Sequence, residues 1–549
     1  MNTNNQDATT VEKSDKDINA NKIMDNPVEE ESLKEKNQER MNENPNNPEK
    51  HVLTKDEERD KKAIEKSKFL GDAPVYSTVL KLTYPDLISK LVNASYSFID
   101  SIYIGQLAGA TQEERTLALG SVSYAAPIET AFQMGLAMLY GSGLATVLGR
   151  YLGSKNIKMA ERTLGNLYFL AILSGIIYPL VIIPLAPYIL KLLGATDEAG
   201  TMQIAYPYAT IIAIGSLFNN ISTGHSNLMR AEGQAMYSCM VRVTGALFNI
   251  IMDPVFIKVF NLGVNGAAYC SVVGNIITNI AGFCYYFSSK SVLKPQWKNI
   301  KPKPVIIKKG LSVGMAGCLM TACTAIVSIV FNRLMIAYSP YPQDSLETTE
   351  LVSVVGSLTK VALLSFLPVY AVSCGSLPIL SYCKGAKLYS RFKEVLKVCL
   401  IYSLSLGIIL CILFASSSPY MGKLFSSSES FNEVFKVGVL FMAFSIPFNC
   451  VFFTVLPALQ ASGEGILGGL LALLKNCILY IFYAWLICYI RGDYWGILYS
   501  YLYGDITTCV LSIIIYFWKK PSFYQEKQNK KVLEEHTVVN IDNIQEENI

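Results

Sequence analysis

The chain has 549 residues, of which 51% are hydrophobic and only 16% charged, and its mean hydropathy is +0.32. Its net charge of +4 is too small to mark a nucleic-acid binder, and three histidines with thirteen scattered cysteines, none in a CxxC pair, give no basis for a zinc site or a disulfide framework. One apolar run of about 20 residues after another excludes an ordinary soluble enzyme, because a helix of that length crosses a bilayer core of about 30 Å.

The stretch from Met1 to Asp72 is rich in Asn, Glu, Lys and Asp and nearly free of aromatics, which predicts a disordered cytoplasmic tail. It contains no signal-peptide core, so membrane insertion is expected to fall to the first span. Spans are predicted at 79–105, 117–147, 163–189, 201–228, 236–260 and 264–288, then at 307–338, 351–382, 394–418, 432–460, 466–489 and 494–518. This gives an all-α polytopic membrane protein of twelve transmembrane helices in two pseudo-symmetric six-helix lobes. The expected divisions are an N-lobe over 73–289, a linker over 290–306, a C-lobe over 307–519 and a cytoplasmic tail over 520–549.

Loop charges predict the orientation. Arg150, Lys155, Lys158 and Arg162 follow span 2, seven lysines between Lys290 and Lys309 follow span 6, and Lys384, Lys387, Arg391, Lys393 and Lys397 follow span 8. The alternate loops carry Glu113, Glu114, Asp197, Glu198, Asp344 and Glu347 instead. By the positive-inside rule both termini are expected to be cytoplasmic. The same regions repeat. Gly143 and Gly153 recur as Gly375 and Gly385 at one common offset, and Arg230-Ala-Glu-Gly233 recurs as Gln460-Ala-Ser-Gly463 at almost the same one. A duplicated six-helix unit is the expected origin, and such repeats build transporters around a central site.

Charges inside the bilayer are costly and mark cavities or partners. Asp100 lies deep in span 1 with Tyr96 one turn before it; Asp253 lies in span 5 with Asn249 one turn before it and Pro254 after it. Ser271 and Asn275 are similarly spaced in span 6. Two carboxylates beside neutral hydrogen-bonding groups suit a proton or Na⁺ site. The competing readings are a helix-end cap for Asp253 and a helix terminus at the outer interface for Asp100. Glu129 and Lys360 are separated by the repeat offset, so they occupy equivalent places with opposite charge. They are a candidate gate, or two charges in a wet cleft. His225 reads as an interface histidine, and Lys475 as snorkelling or cavity-lining. No P-loop is present, so transport would draw on an ion gradient or on the substrate's own rather than on ATP. No catalytic group, resident metal or cofactor is expected beyond the coupling H⁺ or Na⁺ at Asp100 and Asp253.

At Phe98-Ile-Asp-Ser-Ile-Tyr-Ile-Gly105, Arg230-Ala-Glu-Gly233, Asn249-Ile-Ile-Met-Asp-Pro-Val-Phe-Ile257 and Gly263-Val-Asn-Gly-Ala-Ala268 the sequence resembles the multidrug and toxin extrusion (MATE) family, over roughly Leu80 to Lys519. The resemblance implies a non-enzymatic antiporter that exports organic, often cationic, compounds in exchange for H⁺ or Na⁺. It implies coupling roles for Asp100 and Asp253 and a hydrogen-bond network of Tyr96, Asn249, Ser271 and Asn227. One branch of the family has acids in spans 7 and 10, where Ala322 and Asn449 stand here, which implies coupling through the N-lobe. The expected partners are a small organic substrate and the lipid bilayer, with a monomer in a plasma, vacuolar or vesicular membrane. The alternatives are a flippase for a lipid-linked substrate and a transport-inactive scaffold or receptor.

Overall fold

The computed structural model describes residues 55–105, 112–193, 195, 200–342, 346–425 and 428–523. The chain divides between Arg59 and Asp60, and the helical bundle belongs to the second part. The expected disorder of residues 1–54, and the tail beyond Phe523, lie outside the described residues. The end of the predicted N-terminal tail differs from expectation. Its residues form α1 (Lys55–Ser67) and α2 (Phe69–Asp72). Docking explains the order, since Leu70 is fully buried and Lys66 Nζ donates to the carbonyls of Ser289 and Ser291.

The N-lobe follows as α3 (Val75–Gly105), α4 (Gln112–Pro127), α5 (Gly135–Gly153), α6 (Ile157–Leu193), α7 (Thr201–Ala231), α8 (Ala235–Pro254) and α9 (Gly263–Phe287). The C-lobe comprises α10 (Pro304–Ala337), α11 (Leu346–Gly385), α12 (Tyr389–Met421), α13 (Glu429–Ser462), α14 (Gly465–Leu473), α15 (Tyr480–Arg491) and α16 (Trp495–Phe523). Among the described residues there is no strand. Eleven helices there are long and apolar enough to cross a membrane. The twelfth span is α3. Its 31 residues reach about 46 Å at 1.5 Å each, but Lys81, Asp86, Lys90 and Asp100 dilute its apolar character.

Three spans are interrupted by wide π turns, at Ile128–Met134, Val255–Val259 and Leu474–Leu479. The first two follow Pro127 and Pro254 directly. Proline lacks the N–H for the usual bond and its ring crowds the carbonyl four residues back, so an extra residue in the turn relieves both problems. Each π segment contains or adjoins an intramembrane charge: Glu129, Asp253 and Lys475 respectively.

The repeat is visible in the packing. A Cβ on Gly153 would strike the carbonyl of Tyr382, and a Cβ on Gly385 would strike that of Arg150. Tyr382 stands as far along the chain from Arg150 as Gly385 does from Gly153, so the contact is the same on both sides of a pseudo-twofold axis. Gly143 lies against the Gly310 carbonyl, while its repeat mate Gly375 lies against Thr83. Backbones in such contact seal the lobes together at the end carrying the basic loops. Arg150 adds a cross-lobe bond, its Nη2 donating at 2.5 Å to the Gln460 carbonyl at the end of α13. One hydrophobic core unites both lobes here, whereas the far end of the N-lobe has a separate core built from residues such as Ile104, Ile128, Tyr208 and Ala268.

Glu232, between α7 and α8, anchors the inter-lobe linker. Fully buried, it accepts hydrogen bonds from Tyr285 Oη at 2.8 Å, Ser291 Oγ at 3.3 Å and the Val292 N–H at 3.0 Å. Burial pushes its carboxyl up from the usual 4.5 to about 7, against the opposing pull of those donors and of Lys66. Between these values the folded chain holds a proton that the unfolded chain has released. Stability is therefore fully present below about pH 4.5 and falls as pH rises through 7. Glu232→Gln is expected to flatten the profile of Tm against pH across that window. Parallel profiles for the two proteins would contradict this assignment.

Candidate functional site

The predicted cluster assembles where α3, α8 and α9 meet. Tyr96 of α3 shares a hydrogen bond of 2.9 Å with Ser271 Oγ of α9. Asn249 of α8 is buried against Gly274, where any Cβ would overlap its amide, and Cys270 Sγ lies 3.6 Å from its Oδ1. Asn275 donates to the Ser271 carbonyl at 3.0 Å and accepts from Ser222 of α7 at 3.1 Å, so this network reaches a third neighbouring helix.

Asp253 is fully buried, and its carboxylate meets the thiol of Cys270, a weak donor, and no stronger side-chain donor among the described residues. Asp100 is partly buried, and its Oδ1 is likewise unpartnered. The two carboxylates lie within electrostatic reach of each other, with Glu129 also in range of Asp100. Tyr208 of α7, buried and not singled out by the sequence reading, joins the same field. Its place in a helix rich in small and polar residues gave no signal. A buried carboxylate without strong donors is expensive unless a proton or a cation neutralises it, and two together sharpen the need.

Other placements correct the sequence reading. Asn227 does not join Tyr96. It is buried near the basic end, where its Oδ1 accepts from Arg230, which in turn pairs with Asp86 of α3. Lys90 also pairs with Asp86, at 2.5 Å. A helix positions Asn227 by its rotation, which the local spacing leaves open. Arg230→Met would leave Asp86 paired with Lys90, with the Arg242 charge in range, and is expected to lower stability by about 3 kcal/mol, read from thermal unfolding in detergent. An unchanged Tm would show the Arg230 pair to be dispensable.

Glu129 and Lys360 are both exposed, and no ion pair joins them in this structure. His225 is no interface residue. It is fully buried, bonded through Nε2 to Tyr168 Oη at 2.9 Å and surrounded by the rings of Tyr168, Phe283 and Tyr286. Lys475 neither snorkels nor lines a cavity. It is buried 3.2 Å from Asp505 of α16, a carboxylate the sequence reading passed over.

The MatE family model matches this chain over residues 85–255 and 313–486. Multidrug export protein MepA of Staphylococcus aureus (strain N315) is 23% identical over 412 residues, covering 75% of this chain and 87% of the relative. The outward-facing structure of a multidrug resistance MATE family transporter of the MOP superfamily superposes with a TM-score of 0.74 at 17% identity, over 85% of this chain and 99% of that one. A MOP superfamily transporter from Pyrococcus furiosus, described with a binding pocket of reversed polarity, gives a TM-score of 0.71 at 18% identity, over 82% and 97% of the two chains.

Proposed function

Because this chain belongs to the MatE family, we propose that it is a secondary antiporter exporting organic, often cationic, compounds in exchange for H⁺ or Na⁺. Asp100 and Asp253 take the coupling ion. The observation that carries this reading is Asp253: a fully buried carboxylate with no donor stronger than the Cys270 thiol, close to a second carboxylate and next to a proline-induced π turn. Neutralising it removes the electrostatic strain and lets α8 and α3 approach, and the π turn supplies the place to bend. The Tyr96–Ser271 bond and the Asn249–Cys270 contact carry that movement to α9.

The basic loops support a cytoplasmic location for the sealed end and for both termini. In that frame the sealed end supports an outward-facing reading of this state, and the cycle would require the Gly153 and Gly385 contacts to part. The Glu129–Lys360 gate would have to close in the opposite state, and additive effects of the two substitutions on efflux would rule it out. Burial of Lys475 against Asp505 counts against a flippase, since it removes one of two lysines that would have greeted an anionic lipid-linked substrate. The protein is expected to act as a monomer, in a plasma, vacuolar or vesicular membrane.

The test is efflux of a fluorescent organic cation from proteoliposomes under imposed H⁺ or Na⁺ gradients. The wild type exports under one of these gradients. If neither gradient drives export of any organic cation tried, the antiporter reading is wrong.

A further inference from the structure

We propose that the inter-lobe linker and the start of α6 together form a binding face for anionic phospholipid headgroups, with Trp297 inserted among them. Trp297 opens a single 3₁₀ turn, Trp297–Asn299, and is 90% exposed, more than any other large hydrophobic residue described. The turn is nonetheless held in place. Gly165 of α6 lies so close to it that a Cβ there would strike the Asn299 carbonyl. One residue on, Asn166 Oδ1 accepts the Lys303 N–H at 2.8 Å, and Gln296 Nε2 donates to Glu161 Oε2 at 3.3 Å. Before the turn, Val292 and Leu293 are buried. A loose loop could fold its tryptophan away from water, whereas this one presents it.

The seat on α6 sets the depth of that tryptophan. The helix is long and apolar enough to cross a membrane, and it exposes Ile172, Leu173, Ile176 and Ile177 on its outer surface. Gly165 stands midway between Lys158 and Ile172, roughly 10 Å from each at 1.5 Å per residue. The turn therefore lies between the charged start of α6 and its apolar surface, at headgroup level. Tryptophan suits that level because its ring is apolar and its N–H polar. Charge then selects the lipid. Lys158, Lys298 and Lys301 are exposed, and none has an ion pair among the described residues. Glu161, the acid beside them, is buried. These cations attract a lipid with net negative charge and gain little from zwitterionic phosphatidylcholine. The positive-inside bias alone would place lysines on this side, but it calls for neither the exposed ring nor the glycine seat that fixes it. The face is independent of the role given to Asp100 and Asp253.

The experiment reads Trp297 fluorescence in the full chain, reconstituted into phosphatidylcholine vesicles, and does not depend on transport. Trp485→Phe, Trp495→Phe and Trp518→Phe leave Trp297 as the single tryptophan; comparing the natural chain with Trp297→Phe gives the same signal by difference. The vesicles carry, at equal mole fraction, phosphatidylglycerol or phosphatidylcholine brominated near the glycerol end of the acyl chain, and bromine quenches a ring that it touches. Quenching by the brominated phosphatidylglycerol is expected to exceed that by the brominated phosphatidylcholine about twofold or more. Lys158→Gln, Lys298→Gln and Lys301→Gln together should bring the two lipids level. A Trp297 quenched by neither lipid overturns the proposal, as does equal quenching by both in the parent. A preference for phosphatidylglycerol that survives the three Gln substitutions also overturns it, since these lysines would then not be its cause.

Discussion

Replacing Asp253 with Asn is expected to reduce gradient-driven efflux by about a hundredfold or more, which corresponds to losing roughly 2.7 kcal/mol of ion-binding free energy. The substitution keeps the shape of the side chain and removes its charge. Little in the structure depends on that charge, because the side-chain donor it meets is the weakly donating Cys270 thiol. The variant should therefore fold with a Tm no lower than the wild type. Lost transport with retained stability separates an ion-binding role from a structural one, whereas a protein that loses both together would mark Asp253 as a helix-end anchor. Asp100→Asn should behave in the same way, with a milder effect because Asp100 is only partly buried.

Gly153→Val is the second substitution with a large expected effect. The new side chain would overlap the Tyr382 backbone carbonyl across the lobe interface, and a backbone atom cannot rotate away as a side chain can. Overpacking of this kind costs about 1–3 kcal/mol, and here the strain falls on one state of the cycle, the one in which the basic end is sealed. Efflux is expected to drop about tenfold or more. Thiol reagents should also reach a cysteine placed at Ser381, which packs against Gly149 in the same seam. Gly356→Ala is the control, because a Cβ there meets nothing within 4 Å. Equal efflux by the Gly153 and Gly356 variants would mean that the seam does not seal the lobes.

Much of this architecture was legible in the sequence because it is written in local spacing. Apolar runs of bilayer length gave the spans, and the recurrence of Gly153 at Gly385 anticipated a symmetric contact between the lobes. Tyr96 and Asp100, like Asn249 and Asp253, were found by one-turn spacing, and the fold does place the two pairs near one another. What escaped was tertiary. Asp505 sits in Tyr501-Leu-Tyr-Gly-Asp505, near the middle of the last span, and its partner Lys475 belongs to the span before it. A signal was nonetheless available: a lysine deep in an apolar lobe requires an anion, and Asp505 is a carboxylate deep in a C-lobe span. Asn227 was assigned to the wrong network because spacing along a helix does not reveal which neighbour its side chain meets. The helices α1 and α2 escaped because their order comes from docking onto the linker, which composition does not report.

The central claim is that Asp100 and Asp253 bind the ion that drives export. Its most direct test is the ion flux itself: substrate is added to proteoliposomes holding the wild type or either Asn variant, and H⁺ movement and radioactive Na⁺ movement are recorded together with substrate movement. The account predicts one ion moving opposite to substrate at a fixed ratio in the wild type, with substrate-dependent ion flux abolished in Asp253→Asn and reduced in Asp100→Asn. An Asp253→Asn protein that still exchanged ion for substrate at the wild-type rate and ratio would contradict it.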